Sequence, residues 1–226
     1  MDFTKFMSFL VNKALWFNRV DTYDDPFEGK LPLKVLQQHK DEMGSDPTTS
    51  YDHFRKYTYT NCWYISDSES AAMWKLYAKS EEAVAIQTTY EKLHKMMPSE
   101  CRIGEITYID YKNDSFSTDA SFSGFMPSMY KRKAFAHEKE LRTLIGDMHG
   151  GLMLKPDSQN TYIIDPNAKN EKLGISVPLQ PTELVEGIYV APLSAQWFKD
   201  LVVEISRSYG FGEDSIFSSE LDENPY

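Results

Sequence analysis

The stretch HEKELRTLI, residues 137–145, passes from charged residues into an apolar segment and predicts a β-strand that begins at Glu138. Residues two apart on a strand share a face of the sheet. Glu138, Glu140 and Arg142 are therefore expected to point one way, and Leu141 the other way into the core. This arrangement makes the charged run the leading candidate for a functional site.

Two carboxylates on one face can take different roles, because proximity and unequal burial drive their pKa values apart. One can bind a substrate hydroxyl group while the other accepts a proton, and Arg142 would contribute to substrate binding. The alternative is a solvated strand face on which Arg142 pairs with a glutamate. His137 suggests a general base, but no nucleophile at a matching spacing accompanies it.

Helical and extended patterns alternate along the rest of the chain. Residues 57–65, YTYTNCWYI, are rich in aromatic residues and threonine and predict a strand. Trp197, Leu201 and Ile205 recur every four residues and predict the last helix. The chain has no repeat, no glycine-rich phosphate loop and no regular series of strand–helix–strand units. The pattern predicts an α+β fold in a single domain over residues 1–226, with a mixed or antiparallel sheet, whole or split, flanked by helices.

Two segments are expected to form long loops, and a third is expected to form the C-terminal tail. Residues 44–50 and 113–128 are polar and rich in turn-forming residues, which predicts two long loops. Residues 211–226 are expected to form a C-terminal tail after the last helix.

Composition limits the partners. The chain has 34 acidic and 24 basic residues and a net charge of −10, so the case for nucleic acid is weak: no basic field covers the domain. No segment approaches the roughly 18 apolar residues of a membrane span, and no membrane partner is expected. Cys62 and Cys101 form no CxxC pair, which favours reduced thiols and a cytoplasmic location. No cysteines and histidines have ligand spacing, so no metal is expected.

A weaker candidate is the acidic group Asp24, Asp25 and Glu28. Carboxylates of this kind have the chemistry to bind Mg²⁺. No other acidic pair is positioned to complete such a site. The alternative is that these acids are solvated or fix the loop around Pro26 and Gly29.

A second group of candidates follows the strand at residues 57–65. Ser66 stands at the end of that strand, where a serine can contact a ligand. Trp74 and Tyr77 lie on the next predicted helix, where their rings can stack on a nicotinamide or a base. The simpler alternative is that Ser66 starts a turn and that both aromatic residues belong to the core.

A series of short motifs resembles, in order, the bacterial family of uncharacterised proteins known as domain of unknown function 2971. The motifs cover nearly the whole chain, and the ordered set is more specific than any single motif. They are Leu15-Trp16-Phe17, Asp25-Pro26-Phe27-Glu28-Gly29, Met73-Trp74-x-x-Tyr77-Ala78, Ala83-Val84-Ala85-Ile86, Lys133 with Glu138-Lys139-Glu140-x-Arg142, and Ile188-Tyr189-Val190-Ala191-Pro192 followed by a helix and Tyr209-Gly210.

The order of elements is also similar to that of ADP-ribosyltransferase folds of the RNA 2′-phosphotransferase and DNA-modifying toxin kind. This similarity implies that Ser66, Trp74 and Tyr77 bind NAD as substrate. In the implied reaction nicotinamide leaves NAD, Glu140 stabilises the oxocarbenium-like ribose through a ribose hydroxyl group, and Glu138 orients or deprotonates the acceptor. A toxin or phage-defence effector of this kind would act on an unidentified macromolecule. Its expected partner is an antitoxin or a second copy of the chain.

One feature departs from this resemblance. In the family a short strand usually precedes the region that begins here at Met1, and in the transferase folds that strand carries the first residue to contact nicotinamide. Arg19 and Tyr23 are not expected to replace that residue, because they follow the first helix. The alternative function is therefore a non-catalytic ligand-binding or interaction domain.

Overall fold

A computed structural model describes residues 1–78, 80–116, 124–147, 150–154, 162–165, 167–223 and 225. Contacts group the chain into two compact units, neither of which is a continuous segment. Unit 1 consists of Met1–Trp16, Ser66–Pro98 and Ser176–Tyr226, and unit 2 consists of Phe17–Ile65 and Ser99–Ile175.

Helices and strands are interleaved along the chain. The α-helices are α1 (Phe3–Asn12), α2 (Leu33–Met43), α3 (Thr48–Arg55), α4 (Ala71–Tyr77), α5 (Tyr90–Met96), α6 (Pro181–Leu184) and α7 (Gln196–Ser208). Short 3₁₀ turns occupy Val20–Thr22, Met126–Met129, Lys133–Glu138, Glu213–Ser215 and Glu220–Asp222.

The strands form several small sheets, mostly antiparallel. They are β1 (Ala14–Arg19), β2 (Thr58–Tyr64), β3 (Val84–Gln87), β4 (Arg102–Glu105), β5 (Thr107–Ile109), β6 (Tyr130–Arg132), β7 (Glu140–Gly146), β8 (Leu152–Leu154), β9 (Tyr162–Ile164), β10 (Gly174–Pro178), β11 (Gly187–Val190) and β12 (Ile216–Ser218). Helices and mixed sheets in this order confirm the predicted α+β class.

Unit 1 contains α1, α4, α5, α6 and α7 and a three-stranded sheet in the order β12-β11-β3. Strand β11 is parallel to β12 and antiparallel to β3. On the edge of β3 away from β11, the amino group of Met1 donates to the Val84 carbonyl oxygen at 2.7 Å, and Asp2 forms an antiparallel bridge with Ala83, the residue before β3. Asp2 also caps α1, since its side chain accepts a hydrogen bond from the Lys5 amide.

Unit 2 holds the strands that carry the charged run. Its strands β2, β7 and β4 belong to a five-stranded sheet ordered β10-β1-β2-β7-β4, in which β7 lies between β2 and β4 and is antiparallel to both. Strands β5 and β6 form a separate parallel pair. Buried Ile109, Tyr111 and Tyr130 form an apolar cluster beside this pair. The cluster includes Tyr130, the first residue of β6, and Lys131 follows it on that strand.

The structure shows regular elements in two of the segments predicted as loops or tail. The loop over 44–50 is shorter, because α3 already begins at Thr48. Asp46 accepts a hydrogen bond from the Thr48 amide at 3.0 Å, which satisfies one of the free N–H groups at the start of that helix. The predicted C-terminal tail over 211–226 contains regular structure: β12 pairs with β11, and Phe217 stacks on Tyr189 with ring centres 5.1 Å apart.

The second predicted loop, over 113–128, lies partly outside the described residues, which omit 117–123. Its described parts contain no strand, and the 3₁₀ turn Met126–Met129 begins near its end. None of the helices in the described residues combines the length and the hydrophobicity that crossing a membrane requires.

Candidate functional site

Strand β7 places Glu140 and Arg142 on one face of the sheet of unit 2. Glu140 pairs with Tyr64 on β2 and Arg142 with Cys62, so the four side chains share this face. Glu140 is 4% exposed and Arg142 is fully buried. The alternative of a solvated strand face is therefore excluded for these two residues.

The prediction that Glu138 shares their strand is wrong. Glu138 ends the 3₁₀ turn Lys133–Glu138, and Lys139 follows with a φ of 39°. This left-handed residue ends the 3₁₀ turn, and β7 begins only at Glu140. On the opposite face of β7, Thr143 is buried, whereas Leu141, expected in the core, is half-buried.

The Arg142 guanidinium lies at the centre of the site. Its Nε donates to Glu140 Oε1 at 2.6 Å. Its two terminal nitrogens donate to both carboxylate oxygens of Glu28, at 2.9 and 3.3 Å, and one of them also donates to the Ser128 carbonyl oxygen at 2.6 Å. A bidentate pair with Glu28, which is 2% exposed, holds the guanidinium in one orientation.

Lys131 connects the remaining carboxylates. Its Nζ donates to Glu138 Oε2 and, at 3.2 Å, to Glu140 Oε2, and it lies 3.5 Å from Glu28 Oε1. We call Glu28, Lys131, Glu138, Glu140 and Arg142 the charge cluster. Three carboxylates against two cations leave the charge cluster with one net negative charge.

The cations keep Glu140 ionised. Burial by itself would raise the pKa of Glu140, but the charge and hydrogen bond of Arg142, aided by Lys131, outweigh it and hold that pKa below the usual range. Lys131 shows the converse balance: burial opposes its charge, yet Glu140 and Glu138 raise its pKa. Both groups are therefore charged at neutral pH, which suits electrostatic stabilisation better than proton transfer by Glu140.

A tight turn delivers Glu28 to the charge cluster. Asp25 Oδ1 accepts from the Phe27 amide at 3.1 Å, and Gly29 follows Glu28 with a φ of 70°. A Cβ at Gly29 would lie 2.8 Å from the Cγ of Arg55, so both the backbone conformation and the space require glycine. The predicted magnesium site is not formed by these acids, because Glu28 pairs with Arg142 and Asp25 with Arg132, each at 2.9 Å.

Tyr23 and Cys62 border the same face. The Tyr23 hydroxyl lies 2.8 Å from Thr60 Oγ1 and 3.3 Å from Cys62 Sγ. Its ring lies 5.6 Å from the Arg142 guanidinium carbon. Burial raises the pKa of the Cys62 thiol to about 12, an effect that Arg142 opposes and Glu140 reinforces. Cys62 nevertheless keeps an exposed surface, which makes it the member of this face most open to solvent.

We expect both cysteines to react slowly with alkylating reagents at pH 7.5. Burial raises the pKa of Cys101 to about 11, and the thiolate is the reactive form. With pKa values this high, iodoacetamide should label each site at least about 100-fold more slowly than free cysteine. Mass spectrometry of peptides from a labelling time course measures the two rates, with Cys62→Ser as the control for Cys101. Labelling of Cys62 at the rate of free cysteine would contradict the expectation.

Ser66, Trp74 and Tyr77 belong to unit 1, whereas the charge cluster belongs to unit 2. Ser66 Oγ donates to the Ser68 carbonyl oxygen at 2.8 Å, so Ser66 forms the predicted turn. Trp74 Nε1 donates to Glu69 Oε1 at 3.0 Å, and Tyr77 is 53% exposed. Because α4 has no buried residue, the alternative that these aromatic residues belong to the core is wrong.

Several members of the site were missed or misassigned from sequence. The local sequence gives no signal for Lys131. From sequence, Glu28 is a magnesium candidate or a loop acid, and Tyr23 is considered only as a replacement for the residue that contacts nicotinamide. His137 is exposed at the end of its 3₁₀ turn and is not a member of the charge cluster. Among the described residues, no three histidine, cysteine or carboxylate side chains are arranged to hold a metal ion.

Comparison with known proteins gives no relative: no protein-family model, no curated protein and no solved structure matches the chain.

Proposed function

We propose that the protein is an ADP-ribosyltransferase-like enzyme of the cytoplasm, an effector of toxin or phage-defence type that consumes NAD. The observation that carries the proposal is the net negative charge of the charge cluster, with Glu140 kept ionised beside the exposed face of Cys62. Loss of nicotinamide from NAD develops positive charge on the ribose. A fixed negative charge stabilises that transition state more than the ground state, which is the condition for catalysis.

Glu140 is the residue that would accept a hydrogen bond from a ribose hydroxyl group. Its Oε1 is held by Arg142 at 2.6 Å, while its Oε2 has the longer contact, 3.2 Å, with Lys131. A hydroxyl group would therefore compete with Lys131 rather than with Arg142. The glycosidic C–N bond breaks, nicotinamide leaves with the bonding electrons, and the acceptor nucleophile bonds to the ribose carbon while Glu138 takes its proton. Ser66, Trp74 and Tyr77 stay predicted NAD contacts.

The test is to incubate the purified chain with NAD labelled in the adenosine part, with and without a bacterial lysate. We expect release of nicotinamide and transfer of label to a macromolecule, both followed by chromatography. No nicotinamide release and no label transfer, from a protein shown to be folded, would reject the proposal.

The second candidate is a non-catalytic ligand-binding or interaction domain. The observation that favours it is the limited access to Glu140: both of its carboxylate oxygens are ion-paired, and the residue is 4% exposed. Buried networks of this kind also occur as purely structural features. Calorimetry with NAD separates the two candidates, because this second function predicts either no heat or binding without any loss of NAD over hours.

A further inference from the structure

Unit 1 has a cavity of its own, with a volume of about 440 Å³. It is lined by residues from the segment before β3 and from the start of α7. The lining residues are Ser80, Glu81, Glu82, Ala195, Trp197 and Phe198.

The cavity combines an aromatic wall with an acidic rim. Phe198 is 1% exposed and forms the inner wall, and Trp197 packs edge-on against it with ring centres 5.8 Å apart. Trp197 itself is 57% exposed, so much of its indole faces solvent. Glu81 and Glu82 are exposed, and neither forms an ion pair with any residue that the structure describes.

Backbone contacts hold the acidic rim in place. Ser194 Oγ donates to the Glu81 carbonyl oxygen at 2.6 Å, and the Phe3 amide donates to the Glu82 carbonyl oxygen at 3.2 Å. Both carboxylates therefore project from a segment whose main chain is anchored on two sides. Binding of a ligand therefore costs little conformational entropy in this segment, because its main chain is already ordered.

An exposed apolar side chain lies two residues before Ala195, which lines the cavity. This residue, Leu193, is 76% exposed and has a φ of 63°, a left-handed conformation that non-glycine residues rarely adopt. Its amide donates to Asp222 Oδ1 at 2.7 Å, and Asp222 Oδ2 pairs with Lys199 at 2.8 Å. The fold thus holds a leucine in solvent in an unfavourable conformation, which is typical of residues kept for binding.

We propose that this cavity binds a basic segment of a protein partner. The guanidinium or ammonium group of an arginine or lysine binds to the exposed indole of Trp197 and to the carboxylates of Glu81 and Glu82, and a neighbouring apolar side chain packs on Leu193. A cation is attracted both by an aromatic face and by opposite charge.

The two carboxylates on the rim disfavour an anionic ligand. The start of α7, where Ala195 makes no side-chain cap, carries roughly half a positive charge from the helix dipole and would favour an anion. Two carboxylates outweigh it. A small cation alone would meet exposed charges, which contribute little. A peptide adds the apolar contact with Leu193, and this is why the proposal names a protein segment.

The test uses the full chain with its tryptophan indoles labelled with ¹⁵N, and the resonance of Trp197 assigned by Trp197→Phe. The probe is the capped peptide Arg-Leu-Arg-Leu, compared with Glu-Leu-Glu-Leu and with argininamide. We expect the basic peptide to shift the Trp197 indole signal in a saturable way. Glu81→Gln/Glu82→Gln should raise the Kd roughly tenfold, because it removes both ion pairs with the peptide while the contacts with Trp197 and Leu193 remain.

The matched control is Glu91→Gln/Glu183→Gln, which removes the same charge from two exposed acids elsewhere in unit 1 and should leave the Kd within about twofold. Three results would overturn the proposal: no saturable shift with the basic peptide, an equal Kd for both double variants, or equally tight binding of argininamide. The last result would assign the cavity to a small cation. Binding of the acidic peptide would assign it to the helix terminus.

Discussion

Replacing Arg142 by methionine is expected to lower the free energy of unfolding by about 3–5 kcal/mol, the usual effect of removing one partner of a buried ion pair. Methionine fills similar space, so the loss is mainly electrostatic. The change leaves Glu28, Glu138 and Glu140 with Lys131 as their single cation. Domains of this size are stable by about 5–15 kcal/mol, so the variant should be marginal at neutral pH. Denaturant unfolding monitored by tryptophan fluorescence measures the loss.

Arg102→Met is the matched control, because Arg102 is exposed on β4 next to β7 and lies outside the charge cluster. Its expected effect is within about 0.5 kcal/mol. A loss in Arg142→Met no larger than that would show that the charge cluster does not support the fold. Adding Glu28→Gln to Arg142→Met should restore part of the loss, since it removes a carboxylate that has lost its partner.

Arg142→Met should also gain stability as pH falls through a range in which the wild type changes little. In the wild type the lowered pKa of Glu140 gives stability that is present above about pH 4.3 and is lost as pH falls through the folded-state pKa. In Arg142→Met, protonation relieves the repulsion among carboxylates that share one cation. The gap in unfolding free energy between wild type and variant should therefore shrink between pH 7.5 and pH 4.5.

Sequence periodicity predicted the α+β class and the placement of Glu140 and Arg142 on one face, because strand alternation is a local property. It failed at Glu138, where the left-handed Lys139 interrupts the strand. A single residue with positive φ is not encoded by any pattern of polar and apolar residues. The same limit applies to the tail at 211–226, whose strand β12 exists only because β11 and Tyr189 lie beside it.

The charge cluster could be predicted only in part, for a reason of distance along the chain. Glu28 lies 114 residues from Arg142, and nothing in either local sequence indicates the pair. The burial of Arg142 beside Glu140 reverses the usual expectation for a charged strand face, because most such residues are solvated. What the sequence did contain was an arginine two residues after a glutamate at the start of an apolar strand. That spacing is compatible with a solvated pair and with a buried one.

The largest functional effect is expected from Glu140→Gln, which should lower the rate of nicotinamide release from NAD by about 100-fold or more. Removing one electrostatic group aimed at developing charge typically has an effect of this size. Glutamine keeps the shape but removes the negative charge that would oppose the ribose cation. The Arg142 guanidinium keeps its bonds to Glu28 and Ser128, which favours retention of the fold. High-performance chromatography of nicotinamide, beside an unfolding curve of the same sample, separates chemistry from folding.

Glu138→Gln is expected to behave differently from Glu140→Gln. This difference tests the separate roles proposed for the two glutamates. If Glu138 takes the proton of the acceptor, its loss should reduce label transfer to the acceptor by about 100-fold. Hydrolysis of NAD without acceptor should change little. Glu105→Gln, an exposed acid on β4, controls for the loss of one negative charge near β7. Equal rates for Glu140→Gln, Glu105→Gln and wild type would remove Glu140 from the chemistry. The charge cluster would then be a structural ion network. The ion pairing of its carboxylates favours that role.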